Sequence, residues 1–174
     1  MRQSGKITAK ALKKVLENVK VGVNCLTLEK IAQDCILQNG GQSSFKTVEG
    51  YNFTSCITVG SQVVHGIPSD RKLADGEIVS IDLGAMYNGW HTDAAWSMLV
   101  GHNLVSSEKS ENAKFLKIGE EALTLGIKQA VAGNKIGDIS SAIQEKVEQA
   151  IAHKIISGEA KPGSRLELTE AELV

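Results

Sequence analysis

An Asn-Gly pair at 88–89, set between two apolar runs, limits what this chain can fold into more than any other short segment. A two-residue hairpin turn of type I′ needs positive φ at both central positions, and Asn-Gly supplies both at little steric cost. Centring the turn there sets Asp93 opposite Gly84, and Asp82 shares Gly84's side of the pleat because strand side chains alternate. The two carboxylates are then diagonal neighbours on one face, about 7–8 Å apart at Cα, so both can reach one cation or bridge two. Val79, Ile81, Leu83 and Ala85 on one arm, with Ala94, Trp96, Met98 and Val100 on the other, make the opposite face, expected to be core. By itself an acidic pair on a hairpin also fits a solvated outer face, so its meaning depends on the rest of the chain.

Composition narrows the function classes. The chain has 174 residues, 42% of them hydrophobic and 22% charged, which suits one ordinary globular domain. A formal net charge of −1 leaves no basic surplus to neutralise phosphates, so DNA binding by counterion release is not expected. The N-terminal residues lack the apolar stretch of a signal peptide and no run approaches transmembrane length, so no membrane role and a cytoplasmic location are expected. Cys25, Cys35 and Cys56 are an odd number without Cys-x-x-Cys spacing, which argues against a disulfide framework or a thiolate zinc site.

Apolar residues at Ile7, Ala11, Leu12, Val15, Leu16 and Val19 recur at helical spacing and predict a first helix ended by Gly22. Thr27 is the expected cap of a second helix over 28–38, stopped by Gly40-Gly41, with Cys25 and Cys35 as small buried hydrophobes. Strands are predicted at 55–59 and 62–64, followed by a loop over 65–76 and the hairpin over 77–101. Two more helices are predicted at about 110–132 and 139–156. A polar tail, broken by Pro162 and Gly163, occupies 157–174, with a short helix over 166–174 that Thr169 would cap.

The last two helices repeat the first two. The same offset places Ile7 on Ile118, Ala11 on Ala122, Leu12 on Leu123, Gly22 on Gly133 and Leu28 on Ile139, with Thr27 on Asp138 as caps. Helix, glycine turn and capped helix thus occur twice. The first copy continues into the strands bearing Asp82 and Asp93; the second ends before any equivalent strands.

Three further segments carry a family resemblance. Val63-Val64-His65-Gly66-Ile67-Pro68, then Asp75-Gly76-Glu77-Ile78-Val79-Ser80-Ile81-Asp82, then Gly89-Trp90-His91-Thr92-Asp93, resemble the type I methionine aminopeptidases, which have the pita-bread fold. Tyr51-Asn52-Phe53 and Cys56 resemble that family's segment ahead of the histidine. The likeness covers about residues 1–150 and implies an α+β fold: the N-terminal repeat of the pita-bread architecture plus the helices of the second repeat, within an incomplete domain over 1–156. Position by position, Asp82 resembles the aspartate that chelates one ion of a dinuclear centre, and Asp93 the carboxylate that bridges two. His65 matches a histidine that touches substrate and stabilises the reacting carbonyl oxygen, as a neutral imidazole on a loop can. Cys56, Phe53 and Tyr51 would line the pocket for the methionine side chain, where a soft apolar wall suits a thioether. His91, His102 and His153 have no motif context and are expected at the surface.

The resemblance implies removal of the initiator methionine from nascent chains and peptides, in proximity to the ribosome, with two divalent ions (Co, Mn, Fe or Zn). It also implies three further metal ligands: a histidine in His-Gly-x-Gly, a glutamate in Thr-x-Glu-Pro and a late glutamate. None of those segments occurs in these residues. A truncated, inactive chain is therefore expected, and self-association through an uncovered sheet edge with it. Two other readings stand beside this one: a non-catalytic pita-bread binding protein, and a relative of the proline-specific aminopeptidases, disfavoured because those usually carry an added N-terminal domain.

Overall fold

The computed structural model describes residues 1–101 and 110–156, which form two compact units. Within 1–101 the elements are α1 (Arg2–Leu16), α2 (Cys25–Gln38), β1 (Gln42–Ser43), a 3₁₀ turn (Phe45–Thr47), β2 (Ser55–Val59), β3 (Ile78–Tyr87) and β4 (Trp90–Leu99). Within 110–156 they are α3 (Glu111–Gln129) and α4 (Ile136–Ile156). No helix among the described residues is long and apolar enough to cross a membrane. The polar tail, its expected short helix and His102 lie outside the described residues, as does the His153 side chain.

The hairpin forms in the expected register. Asn88 and Gly89 both take positive φ, 49° and 78°, as a type I′ turn requires, and Gly84 lies opposite Asp93. β3 is the central strand: β4 runs antiparallel along one edge, while β2 and the short β1 share the other. Residues of three strands therefore align in rows, one of which is Cys56, Asp82 and Ala95. The strand expected at 62–64 does not form. Gly60 turns the chain at φ 70°, and the Gln62 side chain takes the backbone N–H of Val59, which ends β2 there.

Helices α1 and α2 cover one face of this sheet. Ile7, Ala11 and Val15 recur on the inward face of α1, and Leu28, Ala32, Cys35 and Ile36 on that of α2. They pack on Ile57, Val59, Val79, Ile81, Leu83 and Ala85. Each fully buried aliphatic side chain contributes roughly 1.5–3 kcal/mol of transfer free energy, and this cluster is the main stabilising element. Cys25 and Cys35 sit in it as buried hydrophobes. The expected core face of the hairpin is only half core: its β3 residues and Val100 are buried, whereas Trp96 on β4 remains 41% exposed. The reason is the reach of α1, which leaves a groove beside Ala94 and Trp96 lined by Ala9, Leu12 and Leu16.

The two helix pairs match in detail and differ in their caps. Asn24, not Thr27, caps α2: its side chain accepts the Thr27 backbone N–H at 2.8 Å and the Thr27 hydroxyl at 2.8 Å. Asn carries a short acceptor suited to this position, and starting the helix at Cys25 places Thr27 inside the first turn. In the second pair the device is reversed. Asp138 lies inside α4 and its side chain accepts the backbone N–H of Lys135 at 2.6 Å. These are the two halves of a capping box, used separately. Gly22 and Gly133 both turn at positive φ, 82° and 98°, ahead of the second helix of each pair.

Candidate metal and peptide site

The sheet face opposite α1 and α2 carries the candidate site. Cys56 lies directly across from Asp82, and Asp93 lies across from Gly84 two rows along, so all three side chains share this face. The Asp82 carboxyl is pushed up to about 6, first by burial, then by the charge of Asp93 and by donating its proton to the Asp93 carboxylate; His65 opposes these effects weakly. Two acids held this close on one face form a site of unrelieved negative charge once both are ionised. A divalent cation would relieve it, and carboxylates are suitable hard ligands. Among the described residues no group of three or more His, Cys, Asp or Glu side chains is gathered for a metal.

The position of Asp93 is fixed from behind by hydroxyl groups on α1. Ser4 Oγ donates to the Ala85 carbonyl at 2.8 Å and lies 2.8 Å from Thr92 Oγ1. Thr8 Oγ1 also lies 2.8 Å from Thr92 Oγ1 and accepts the Ala85 backbone N–H at 3.2 Å. Ala85 and Thr92 are paired across the hairpin one row from Asp93, so α1 grips both strands beside the acid. Ser4 and Thr8 are buried polar residues inside a helix, and these contacts use their hydroxyl groups. The first helix therefore does more than cover apolar surface.

His65 sits on the 60–77 loop at φ 55°, a left-handed conformation that a non-glycine residue adopts at some cost. The loop is held close to β2: Ile57 donates its N–H to the Gly66 carbonyl at 2.8 Å. A side chain at 66 would collide with the Ile57 carbonyl group, so glycine is obligatory beside the histidine. Farther along, Cys25 and Leu26 donate backbone N–H groups to Arg71 and Ser69, and Leu73 donates to Val23. Arg71 donates to the Val59 carbonyl and pairs with Glu77 at 2.7 Å, closing the loop at its base. His65, Val64 and Ile67 are left exposed.

Tyr51, Phe53 and Cys56 are neighbours in the structure. The Tyr51 hydroxyl donates to the Ser55 carbonyl at 2.8 Å and lies 3.2 Å from Cys56 Sγ. Burial pushes both the Tyr51 phenol and the Cys56 thiol above their ordinary values, so both stay neutral near pH 7. Tyr51 meets Phe53 edge-on with ring centroids 6.0 Å apart, and meets Phe45 likewise at 6.5 Å. Phe45 escaped the sequence reading because nothing in Ser44-Phe45-Lys46 marks a site. The fold brings it there through Gly84, where a Cβ would come within 2.9 Å of Ser44 and 3.0 Å of the Phe45 ring. Ser44 also donates its N–H to the Gly84 carbonyl at 2.9 Å and binds His91 Nδ1 through its hydroxyl at 2.7 Å.

The chain resembles known proteins over most of its length. The model of metallopeptidase family M24 matches residues 1–164. Methionine aminopeptidase of Mycoplasma capricolum is 42% identical over 148 residues, 85% of this chain and 57% of that protein. Methionine aminopeptidase 1 of Bacillus subtilis is 39% identical, over 85% of this chain and 58% of its own length. The crystal structure of methionine aminopeptidase from Thermotoga maritima superposes with a TM-score of 0.78 at 33% identity, over 86% of this chain and 59% of that one. The chain thus spans somewhat over half the length of the relatives it matches, and the α+β architecture described above is that of the pita-bread fold.

Proposed function

Since the chain belongs to metallopeptidase family M24, we propose that it carries part of the machinery for removing an N-terminal methionine from peptides and nascent chains, in the cytoplasm and close to the ribosome. The observation that supports this reading is the joint placement of the Asp82–Asp93 pair, the His65 loop and the Tyr51–Phe53–Cys56 cluster beside one sheet face. Within the proposed domain over 1–156, Asp82 and Asp93 would together hold divalent ions of Co, Mn, Fe or Zn type. Such ions, when bound, lower the pKa of water toward neutrality and so supply a nucleophile. His65 donates a hydrogen bond to the scissile carbonyl oxygen, where charge develops during attack. Tyr51, Phe53, Cys56 and Phe45 take the methionine side chain: the rings and a neutral thiol match the polarisable thioether without a charge to desolvate.

Two carboxylates hold a transition metal weakly, since oxygen-only sets favour labile ions. A polypeptide of these 174 residues should therefore bind Mn²⁺ weakly and turn over little or no substrate by itself. Two measurements test the reading. Mn²⁺ binding followed by electron paramagnetic resonance should be detectable and should disappear in Asp82→Asn and Asp93→Asn; equal binding by all three proteins would remove the metal assignment. Incubation with a Met-Ala peptide and cobalt or manganese should leave the peptide intact. Turnover that Asp82→Asn abolishes would show that the pair suffices and overturn the expected inactivity.

A further inference from the structure

Glu29 is an acid where an amphipathic helix should carry a hydrophobe. It lies on the inward face of α2, 6% exposed, among Leu28, Ala32 and Cys25. A buried carboxylate is tolerated only when its oxygens are fully used, and those of Glu29 are. Oε1 accepts the backbone N–H of Thr54 at 2.6 Å, and Oε2 accepts the backbone N–H of Ser55 at 2.9 Å and the Ser55 hydroxyl at 2.6 Å. Three donors from two adjacent residues converge on one side chain, and those residues are the entry to β2. An apolar residue here would leave two buried N–H groups without partners, so structure alone requires some acceptor. The choice of strand end is what carries further meaning.

Ser55 is the link. Its N–H and hydroxyl face Glu29 on the core side, while its carbonyl accepts the Tyr51 hydroxyl, which also contacts Cys56. Cys56, the next residue, stands opposite Asp82. We propose that Glu29 is a positioning residue of the methionine pocket: from beneath the sheet it clamps the Thr54-Ser55 peptide and so sets where Cys56 and Tyr51 stand relative to Asp82. This rests on the pocket reading given above and adds a specificity-setting residue that touches no substrate. Glutamine cannot replace it, because either orientation of the amide turns its NH₂ toward an N–H donor.

The molecule contains its own control. Cys25 and Cys35 lie on the same helix as Glu29 and are 3% and 4% exposed, so they report general loosening, while Cys56 reports the pocket wall. Alkylation by N-ethylmaleimide under native conditions, mapped by mass spectrometry on the full chain, reads all three thiols at once. In Glu29→Gln the labelling rate of Cys56 should rise by about tenfold or more, since loss of charge-assisted hydrogen bonds favours local opening, with Cys25 and Cys35 unchanged. Ser55→Ala, which removes only the hydroxyl donor, should produce a smaller selective rise. A parallel rise at all three thiols in a folded Glu29→Gln protein, or no rise at Cys56, would overturn the proposal. Should Glu29→Gln lose the fold, Ser55→Ala decides by the same criterion. Protection of wild-type Cys56 by millimolar Met-Ala tests the pocket reading separately: without protection that reading fails, whereas the clamp stands or falls on the selective labelling.

Discussion

The two arms that meet at the candidate site are built by opposite means. The arm carrying Asp82 and Asp93 is a regular hairpin with a two-residue turn, and its geometry follows from strand alternation once the turn is centred. The arm carrying His65, Tyr51, Phe53 and Cys56 is mostly irregular, and single contacts set its geometry: Gly66 against Ile57, Glu29 beneath Thr54 and Ser55, Arg71 against Glu77. A ladder of backbone hydrogen bonds spreads the effect of a substitution over many partners. A loop pinned at a few points cannot, so the second arm should fail sharply where the first yields little.

Gly66→Ala is the strongest attack on that contrast. A methyl group there meets the backbone of Ile57, which can move only by opening β2. Overpacking against rigid backbone costs about 1–3 kcal/mol and occasionally more. Urea unfolding should show a loss near the upper end of that range, and hydrogen exchange should rise at Ile57 before it rises along β3. A loss of less than about 0.5 kcal/mol, the size expected of an ordinary surface change, would mean the loop arm is no more brittle than the hairpin.

Thr8→Val sharpens the comparison from the other side. The substitution keeps the volume and removes the hydroxyl that accepts the Ala85 N–H and meets Thr92. One buried donor loses its partner, a penalty of roughly 1–3 kcal/mol. The hairpin ladder continues past the lesion, so the expected loss is near the lower end and the register should survive. Nuclear Overhauser contacts between opposed residues of β3 and β4 would check this. A shifted register would show that α1, rather than the Asn88-Gly89 turn, holds the hairpin in place.

The same contrast explains what could be read from residues alone. The hairpin, its register, the shared face of Asp82 and Asp93 and both helix pairs follow from local chemistry: a type I′ turn, period-two alternation, helical spacing and paired glycines. The sequence reading also brought Tyr51, Phe53 and Cys56 together, through resemblance rather than through any local rule. Phe45 was hidden because its place depends on a missing side chain at Gly84, far along the chain in β3. Glu29 was hidden because a glutamate in an amphipathic helix is ordinarily solvated, and only tertiary contact shows it facing inward. The cap moved from Thr27 to Asn24 because both residues can serve and the helix start chose between them. Signals carried by period or turn chemistry survive in one dimension; long-range contacts between irregular segments do not.

Asp82→Asn is the gentlest test and the most informative in its sign. In the absence of a cation the pair is a strained element of the hairpin arm, because the Asp82 carboxyl is pushed up to about 6 by burial and by Asp93. A folded state that holds its proton more tightly than the unfolded chain loses stability as pH rises between the two values. Wild type should therefore be unpenalised near pH 4 and fully penalised above about pH 6, by about 1 kcal/mol once solvent screening of a half-exposed group is allowed for. Asparagine removes the repulsion and keeps a side chain able to hydrogen-bond Asp93. The variant should therefore melt higher than wild type at pH 8 without divalent ions, and the advantage should vanish near pH 4. Millimolar Mn²⁺ should reverse the order, raising the wild-type melting temperature alone. A variant less stable than wild type at pH 8 without metal would mean that Asp82 serves the hairpin as an ordinary structural residue, and that the regular arm bears no electrostatic strain for a cation to relieve.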